Sequence, residues 1–315
     1  MAEENNPASD KIVRALLEEG RARLVVATAT AAVKEMATRH GIGGIPVVAL
    51  GRSAVAGLLL ATLTKDEEQV TLQVLGDGPL GGVTVDARSS GRVRGFVKRP
   101  LAVPWDKAFA SSPPIPIGDA VGRSGVVSVI RDLGMAQNYS GQVALATGEV
   151  DQEVERYLNT SEQIDSVLRC DALVDAEGRI TAAAGLLVQT LPQAHGTALV
   201  QFVREILHGP VFSKLLASAL DSGRVEPEFI ANAALGDCAR GMQILETRGV
   251  EFFCPCSRER AESTLQMLRQ EDLKDMLLED NFAQVTCNFC GAAYRFSEIE
   301  LERIRRRQGK ELGRA

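Results

Sequence analysis

Four cysteines near the C-terminus form two close pairs, Cys254-Pro-Cys256 and Cys287-Asn-Phe-Cys290, separated by 30 residues. Two close pairs with an intervening segment are the sequence pattern of a tetrahedral zinc site, in which thiolates bind the metal at about 2.3 Å. Gly291 follows the second pair and suits a tight turn that lets backbone N–H groups reach the sulfurs. The spacing therefore predicts that Cys254, Cys256, Cys287 and Cys290 bind one Zn²⁺ ion per chain in its reduced form.

The same thiolates could instead be oxidised. Sulfurs around zinc lie roughly 3.8 Å apart, whereas a disulfide brings them to about 2.05 Å, so two disulfides cannot coexist with an intact zinc site. In an extended strand the Cα atoms of Cys254 and Cys256 would be about 6.6 Å apart, at the upper limit of disulfide geometry. Cys287 and Cys290, on a turn, should bridge more easily. From the spacing alone, a redox switch and a static zinc ribbon both remain open.

Two further classes of protein can be weighed against these. A thiol–disulfide oxidoreductase using Cys287 and Cys290 normally needs a helix that begins at the motif and lowers the thiol pKa, but the segments 283–286 and 292–296 are strand-like. A zinc-ribbon nucleic-acid binder is disfavoured by the net charge of -6 and by the few aromatic residues near the site. We therefore expect no catalytic residue and no nucleic-acid partner.

The composition is ordinary for a soluble globular protein, with 45% apolar and 24% charged side chains among 315 residues. The most apolar stretch, residues 42–63, contains Arg52, so it is interpreted as a buried helix preceded by a strand and not as a membrane span. The N-terminus is polar and acidic, unlike a secretory signal. These features predict a cytoplasmic protein with no membrane partner, in which clustered thiols favour metal or redox chemistry.

Strand-like and helix-like patterns alternate over residues 1–195 and predict an α+β domain with a mostly antiparallel sheet. The pattern Gly76-Asp-Gly-Pro-Leu-Gly81 resembles a dinucleotide loop, but Pro79 and the strand pattern that follows favour a hairpin turn. The other strands expected here cover residues 23–30, 70–75, 83–87, 91–97, 126–130, 143–145 and 180–189. The expected helices begin near Lys11, capped by Asp10, and cover residues 54–63, 150–158 and 161–168, the last capped by Ser161.

Three further segments complete the chain. Residues 196–250 have helical spacing with modest apolar faces and predict a helical linker whose order depends on its neighbours. Residues 251–300 form the zinc-binding redox-switch domain, with Ser257 capping a helix over 258–268 and a second helix over 270–279. About fifty residues with so few large apolar groups normally need a metal to stay folded. The segment 301–315 is a basic tail that we expect to fray.

The remaining cysteines and histidines have no partner at ligand spacing. Cys170 is interpreted as a buried packing residue, and Cys238 as a thiol that could form side disulfides. None of His40, His195 and His208 is expected to be catalytic.

On these motifs the chain resembles the redox-regulated 33 kDa heat-shock chaperones, and the resemblance covers nearly the whole sequence. Its most specific part is Cys254-Pro-Cys256-Ser257-Arg258-Glu259-Arg260 with Cys287-Asn-Phe-Cys290, Tyr294 and Phe296. Upstream, the matching residues are Tyr157, Ser161, Glu162 and Gln163 in a Tyr-x-x-x-Ser-Glu-Gln stretch, and Gly185, Gln189 and Pro192 in a Gly-x-x-x-Gln-x-x-Pro stretch.

The resemblance implies an ATP-independent holdase that binds unfolding client proteins. It implies that the reduced, zinc-loaded form is inactive, and that oxidants together with unfolding conditions release zinc and form the disulfides Cys254–Cys256 and Cys287–Cys290. The zinc domain and the linker then loosen and expose apolar surface, and the active form is a homodimer built by the N-terminal domain. The resemblance thus favours the redox switch over the static ribbon.

Overall fold

The computed structural model describes residues 10–64, 68–106, 113–132, 139–192, 198–279 and 282–312. Contacts between Cα atoms divide the chain into two compact units, residues 1–253 and 254–315. The strands of the first unit are β1 (Lys11–Leu17), β2 (Ala22–Thr28), β3 (Gln69–Gly76), β4 (Val83–Arg88), β5 (Arg92–Val97), β6 (Gly125–Asp132), β7 (Tyr139–Ala144), β8 (Ser166–Val174), β9 (Ile180–Thr190), β10 (Gln243–Gly249) and β11 (Glu251–Phe252). Its helices are α1 (Thr30–His40), α2 (Ile45–Ala61), α3 (Gly118–Val121), α4 (Val150–Thr160), α5 (Leu199–Ile206), α6 (Val211–Asp221) and α7 (Pro227–Leu235).

The strands of this unit form two sheets. One has the order β10-β1-β2-β9-β8 and is antiparallel throughout, and the other has the order β11-β5-β4-β3-β6-β7, in which β11 is parallel to β5. The hairpin of β3 and β4 follows from alternation: Val70, Leu72 and Val74 of β3 are buried while the residues between them are half-exposed. The α+β class with mostly antiparallel pairing is confirmed.

Helix α2 forms the centre of the core between the two sheets. All 17 of its residues are buried, and it packs on β8 and β9 of one sheet and on β4 and β5 of the other. Glycine permits this close approach, because a Cβ atom at Gly51 would lie 2.7 Å from the Cβ of Ala172. A helix that is apolar on every side fits this position, since a surface helix would expose one face to water.

The other face of the five-stranded sheet carries a separate apolar cluster. Helices α5, α6 and α7 bury side chains such as Val203, Leu216 and Ile230 against Leu24 and Leu186 of the sheet. The helical spacing expected in this part of the chain thus corresponds to three helices that pack on the sheet, while the role of residues 196–250 as a linker stays a prediction. A strand was not expected there, but β10 occupies residues 243–249 and pairs with β1.

The second unit contains α8 (Arg258–Gln266), α9 (Gln270–Glu279), β12 (Phe282–Thr286), β13 (Ala293–Ser297) and α10 (Glu298–Leu312). Strands β12 and β13 form an antiparallel pair. The tail was expected to fray from Arg303 onward, but it continues α10, and Leu301 and Ile304 are fully buried in the small apolar cluster of this unit. The basic residues Arg303 and Arg305 to Arg307 flank Ile304, and the burial of Leu301 and Ile304 holds the helix in place.

Two other expectations near the N-terminus are wrong. Residues 11–17 form a strand, because β2 and β10 lie on either side of it and their pairing outweighs a helix-like apolar spacing. Asp10 does cap a helix, but it is α1: its carboxylate accepts a hydrogen bond of 2.9 Å from the N–H of Ala32. The apolar stretch from Ile42 forms a helix that begins at Ile45, with no strand before it.

The helix expected over residues 161–168 is also wrong. Helix α4 ends at Thr160, Gln163 has a φ of 58°, and β8 begins at Ser166, so Ser161 follows a helix and caps none. The hydroxyl of Tyr157 donates a 2.6 Å hydrogen bond to Glu162, which closes the turn. This motif therefore shapes the backbone. The sequence also predicts a proline-rich loop over residues 100–120, of which residues 107–112 lie outside the described residues, as does His195.

Candidate metal centre

The turn between β12 and β13 positions Cys287 and Cys290. The N–H of Cys287 donates to the carbonyl of Ala292, and the N–H of Gly291 donates to the carbonyl of Cys287, both at 2.9 Å. Gly291 has a φ of 70°, a left-handed conformation that glycine adopts without steric cost. The turn expected from Gly291 and the strands expected on both sides are confirmed.

The other pair is positioned by the start of α8. Cys256 directly precedes Ser257, whose hydroxyl accepts a hydrogen bond of 3.3 Å from the N–H of Arg260, as the sequence predicts. Helix α8 ends at Gln266, two residues earlier than expected, while α9 has the expected bounds. One pair thus lies at a helix start and the other on a strand turn.

The fold brings all four thiols together. The sulfur of Cys254 lies 3.7 Å from that of Cys287, and the sulfur of Cys256 lies 3.2 Å from that of Cys290. All four Sγ atoms lie within 4.8 Å of one another. Tetrahedral bonds of about 2.3 Å require sulfur separations near 3.8 Å, so this donor set can hold a metal ion, and its softness suits zinc.

Hydrogen-bond donors surround the sulfurs. The hydroxyl of Tyr294 donates to the Sγ of Cys256 at 3.3 Å. Backbone N–H groups of Phe289 and Cys290 reach the sulfur of Cys287, and the N–H of Ala292 reaches that of Cys290. Such donors stabilise thiolates and hold metal ligands in place. Tyr294 is a residue of the sequence motif, but its contact with Cys256 was not predicted. Its position on β13, opposite β12, could have indicated that contact.

Burial opposes ionisation of these thiols. It raises the pKa of Cys287 and that of Cys290, and hydrogen bonds from neighbouring thiols raise the latter further. The hydrogen bond to Cys256, followed by burial, raises the pKa of Tyr294 to about 12, so this hydroxyl keeps its proton as a donor. A bound cation favours the thiolates strongly, because it places positive charge directly on the sulfurs.

Little apolar packing supports the site. Among the described residues of this unit, the fully buried apolar cluster consists of Ala261, Leu265, Leu273, Ala283, Phe296, Leu301 and Ile304. Ionic contacts add to it: Arg258 donates to the carbonyl of Arg295 and to Glu300, and its guanidinium lies 4.5 Å from the ring centroid of Phe296. Exposed ion pairs stabilise by only about 0–1 kcal/mol each, so a metal cross-link would contribute a large share of the stability.

The two remaining cysteines do not join this cluster. Cys170 is buried in the first unit, where its sulfur contacts the carbonyl of Arg52 at 3.5 Å, and burial raises its pKa well above the ordinary value. Cys238 is half-buried, and burial also raises its pKa. A buried, protonated thiol reacts poorly, which agrees with the packing role predicted for Cys170.

Two alternatives lack the geometry that they need. The residues after Cys290 lead into β13, so the helix that activates an oxidoreductase thiol is not found at this motif. Gly76 is the last residue of β3, and Gly78 and Gly81 lie between β3 and β4, as expected for a hairpin turn. Within the described part of the chain, no helix is long and apolar enough to cross a membrane.

Comparison with known proteins gives one consistent answer. A model of the family described as Hsp33 protein matches residues 10–297. The 33 kDa chaperonin of Listeria monocytogenes serotype 4b is 34% identical over 296 residues, which cover 94% of this chain and 98% of that protein. The 33 kDa chaperonin of Synechococcus sp. strain JA-2-3B'a(2-13) is 37% identical, covering 96% and 92%.

A solved structure agrees with these relatives. The crystal structure of the 33 kDa chaperonin (heat shock protein 33 homolog) from Thermotoga maritima superimposes with a TM-score of 0.82 at 28% identity. The superposition covers 96% of this chain and 100% of that one.

Proposed function

Because the chain belongs to the Hsp33 family of chaperones, we propose that it is a redox-regulated, ATP-independent holdase. Its reduced form, with one Zn²⁺ held by Cys254, Cys256, Cys287 and Cys290, is inactive, and its oxidised form binds unfolding client proteins. The observation that carries this proposal is the group of four thiols within 4.8 Å of one another, in a unit with little other core. The metal acts there as a cross-link between the helix start and the strand turn.

Oxidation removes the ligands in pairs. The two thiolates of a pair lose two electrons and form one disulfide, while one peroxide molecule takes up these electrons with two protons and leaves as two water molecules. Disulfide sulfurs lie about 2.05 Å apart and cannot keep the separations that a tetrahedral site requires. Two peroxides per chain therefore convert the site completely and release the metal.

We assign the disulfides to Cys254–Cys256 and Cys287–Cys290. In the folded unit the nearest sulfurs belong to different pairs, at 3.2 Å and 3.7 Å. Once the unit loosens, loop closure favours partners close in sequence, because the entropic cost rises with the length of the loop. Peptide mapping of oxidised protein tests this assignment, and disulfides between the pairs would contradict it.

Release of the linker needs more than oxidation. Its helices bury eight large apolar side chains, and each contributes about 1.5–3 kcal/mol, or roughly 12–24 kcal/mol before the ordering entropy is subtracted. These residues are Leu199, Val200, Val203, Leu207, Phe212, Leu216, Ile230 and Leu235. We therefore propose that heat or another unfolding condition accompanies oxidation, and that clients bind the freed helices and the sheet face beneath them.

We also propose a role for each segment of the chain, and an oligomeric state and a cellular location for the active protein. Residues 1–195 act as the N-terminal core and dimerisation domain, 196–250 as the linker and 251–300 as the switch. The oxidised form is a homodimer, works in the cytoplasm and carries out no catalytic turnover. Size-exclusion chromatography with light scattering on reduced and oxidised samples tests the dimer.

The decisive experiment compares reduced, zinc-loaded protein with protein treated with peroxide at elevated temperature. Suppression of client aggregation should appear only after treatment, together with loss of one zinc and four thiols per chain and a fall in helical circular dichroism. Cys238→Ser is the matched control and should switch normally, whereas Cys290→Ser should lose zinc. Equal activity of the reduced form would overturn the switch, and insulin reduction at a thioredoxin-like rate would favour an oxidoreductase.

A further inference from the structure

A cavity of about 630 Å³ lies in the first unit, far along the sequence from the four-cysteine motif. Its walls come from α2, from the start of α4, from β8 and from the turn between α5 and α6. Small-molecule sites in proteins usually enclose about 300–1,000 Å³, so this cavity has the size of a ligand site. About half of its lining is polar and half apolar, and a ligand site combines the two in this way.

Most charges in this lining already have partners. Arg52, with a side chain 3% exposed, donates to Asp171 at 2.8 Å, to Glu149 at 2.7 Å and to the carbonyl of Ile115 at 2.9 Å. Glu149 also accepts the backbone N–H groups of Ile117 and Gly118. One guanidinium thus serves two carboxylates, and the net charge of this group is negative.

Asp151 is the exception. Its carboxylate lines the cavity and receives a hydrogen bond from the N–H of Gln152, but it forms no ion pair with any described residue. The nearby guanidinium of Arg169 is engaged by Glu155 and by the carbonyl of Leu207. Arg52 and Arg169 attract this carboxylate from a distance, but their hydrogen bonds go to other acceptors, so Asp151 keeps a free position for a cation.

A second polar group faces the cavity from the linker. Ser213 in the first turn of α6 is only 7% exposed, and its hydroxyl has no hydrogen-bond partner among the described residues. Helix α6 begins at Val211 without a side-chain cap, so its first N–H groups are also available. His208, on the preceding turn, lines the cavity as well.

From this arrangement we propose that the cavity binds a small organic cation, with a primary ammonium or guanidinium group on Asp151 and an accepting atom on Ser213. The Asp151 carboxylate is the counter-charge of the cationic group on the ligand. The Ser213 hydroxyl and the first N–H groups of α6 donate hydrogen bonds to an acceptor atom on the ligand. An anion is disfavoured beside Asp151, because this carboxylate and Glu149 would repel it. Arg52 and Arg169 also line the cavity, but they are already engaged by Asp171, Glu149 and Glu155.

Such a ligand would join the core to the linker. Asp151 belongs to α4 of the core, whereas His208 and Ser213 belong to the helices that cover the five-stranded sheet. A molecule that contacts both stabilises the docked linker, because it binds that arrangement and not the released one. The effect on switching rests on the proposed function, but the binding itself does not.

The dependence on pH follows from the groups that face the carboxylate. Burial raises the pKa of Asp151 to about 6, although Arg52 and Arg169 act in the opposite direction. Cation binding needs the ionised carboxylate and should therefore weaken as the pH falls below about 6. Glu149, Cys170 and His208 are the other titratable groups in the lining.

The test is calorimetric titration of reduced, zinc-loaded full-length protein with agmatine, which carries both a guanidinium and an amine. We expect saturable binding, reduced at least tenfold in Asp151→Asn and several-fold in Ser213→Ala. Glu177→Gln, an exposed carboxylate on the turn between β8 and β9, is the matched control and should bind normally. Titration with free arginine in parallel distinguishes a ligand that also carries a carboxylate.

Hydrogen exchange on the same samples tests the link to the linker. Bound agmatine should slow exchange of the α6 amides in the wild type and leave them unchanged in Asp151→Asn. The proposal is overturned if agmatine does not saturate at millimolar concentration, if Asp151→Asn binds it equally well, or if acetate binds in its place. Saturable binding without added protection of α6 would overturn the proposal that the ligand stabilises the docked linker.

Discussion

At the scale of single residues, the metal centre depends on hydrogen-bond donors as much as on the sulfurs. Burial raises the pKa of Cys287 and Cys290, so without a cation these thiols would be protonated and slow to react. The Tyr294 hydroxyl and the backbone N–H groups of the β12–β13 turn favour the thiolate form. A metal bound at this site would act with these donors to favour the ionised sulfurs, the form that an oxidant attacks in the proposed switch.

Replacement of Tyr294 by Phe should weaken metal binding without removing a ligand. The change deletes the 3.3 Å hydrogen bond to the Cys256 sulfur, and loss of such a contact typically lowers metal affinity about 10- to 100-fold. Competition with a chromogenic chelator measures the affinity. Tyr139→Phe, at an exposed tyrosine of β7, is the control, and an unchanged affinity in Tyr294→Phe would contradict this role.

Asp151→Asn should stabilise the first unit at neutral pH. The folded protein raises the pKa of this carboxyl from 3.8 to about 6, so the folded state binds the proton more tightly than the unfolded chain does. This tighter proton binding stabilises the folded state fully below pH 3.8, and the stabilisation is lost as the pH rises through about 6. The variant cannot ionise and should gain about 1–2 kcal/mol at pH 7.5.

Urea unfolding followed by the fluorescence of Trp105, the single tryptophan of the chain, measures this difference. Trp105 packs against the core of the first unit, and its indole N–H donates to the carbonyl of Ala176. The gain should be much smaller at pH 4.5 than at pH 7.5. An equal gain at both values would show that ionisation of Asp151 is not responsible.

At the scale of elements, a buried arginine fixes how α2 meets its neighbours. Arg52 connects this helix to Asp171 of β8, to Glu149 at the start of α4 and to the carbonyl of Ile115. The sequence analysis used Arg52 only as an argument against a membrane span and did not anticipate its partners. Ile115, Glu149 and Asp171 lie 63, 97 and 119 residues from Arg52 along the chain, and no local pattern indicates them.

Arg52→Met should destabilise the first unit by roughly 3–5 kcal/mol, because it leaves two carboxylates without their buried counter-charge. The same urea titration measures the loss. Arg123→Met removes the exposed pair with Asp119 and serves as the control, with an expected change of about 0–1 kcal/mol. A loss below 1 kcal/mol in Arg52→Met would mean that the carboxylates find other partners or take up protons.

Three wrong or missed predictions, those for the segments that form β1, β8 and β10, share one physical cause. Residues 11–17 and 243–249 pair with each other across the chain, and 166–174 pairs with β9, so each became a strand through partners that local spacing does not show. Where local chemistry decides, the predictions hold: Ser257 caps α8, and Gly291 closes the turn at Cys290. The cysteine cluster was predictable for that reason, whereas the polar cavity around Asp151 was not.

At the scale of the whole molecule, the two units differ in what holds them together. The first has two extensive apolar clusters around its sheets, while the second has a single cluster of seven buried apolar residues among those described. Structural zinc can contribute about 10–16 kcal/mol to folding, more than a core of this size provides. The stability of residues 254–315 should therefore depend on metal, and that of the first unit should not.

Chelation of the reduced protein tests this difference. A strong zinc chelator should abolish hydrogen-exchange protection in α8, β12 and β13, and leave the amides of β2 and β9 protected. Re-addition of zinc under reducing conditions should restore protection and serves as the control for irreversible damage. Persistent protection of β12 and β13 in metal-free protein would contradict a metal-dependent fold.

The pairing of β1 with β10 bears on how the protein is made. Residues 11–17 leave the ribosome early, but the strand that covers their outer edge ends at Gly249. At a synthesis rate of about 5–20 residues per second, the nascent chain waits roughly 12–45 seconds for that partner. During this interval the outer edge of β1 is unpaired and lies next to apolar side chains, and an open edge of this kind can pair with other chains until residues 243–249 cover it.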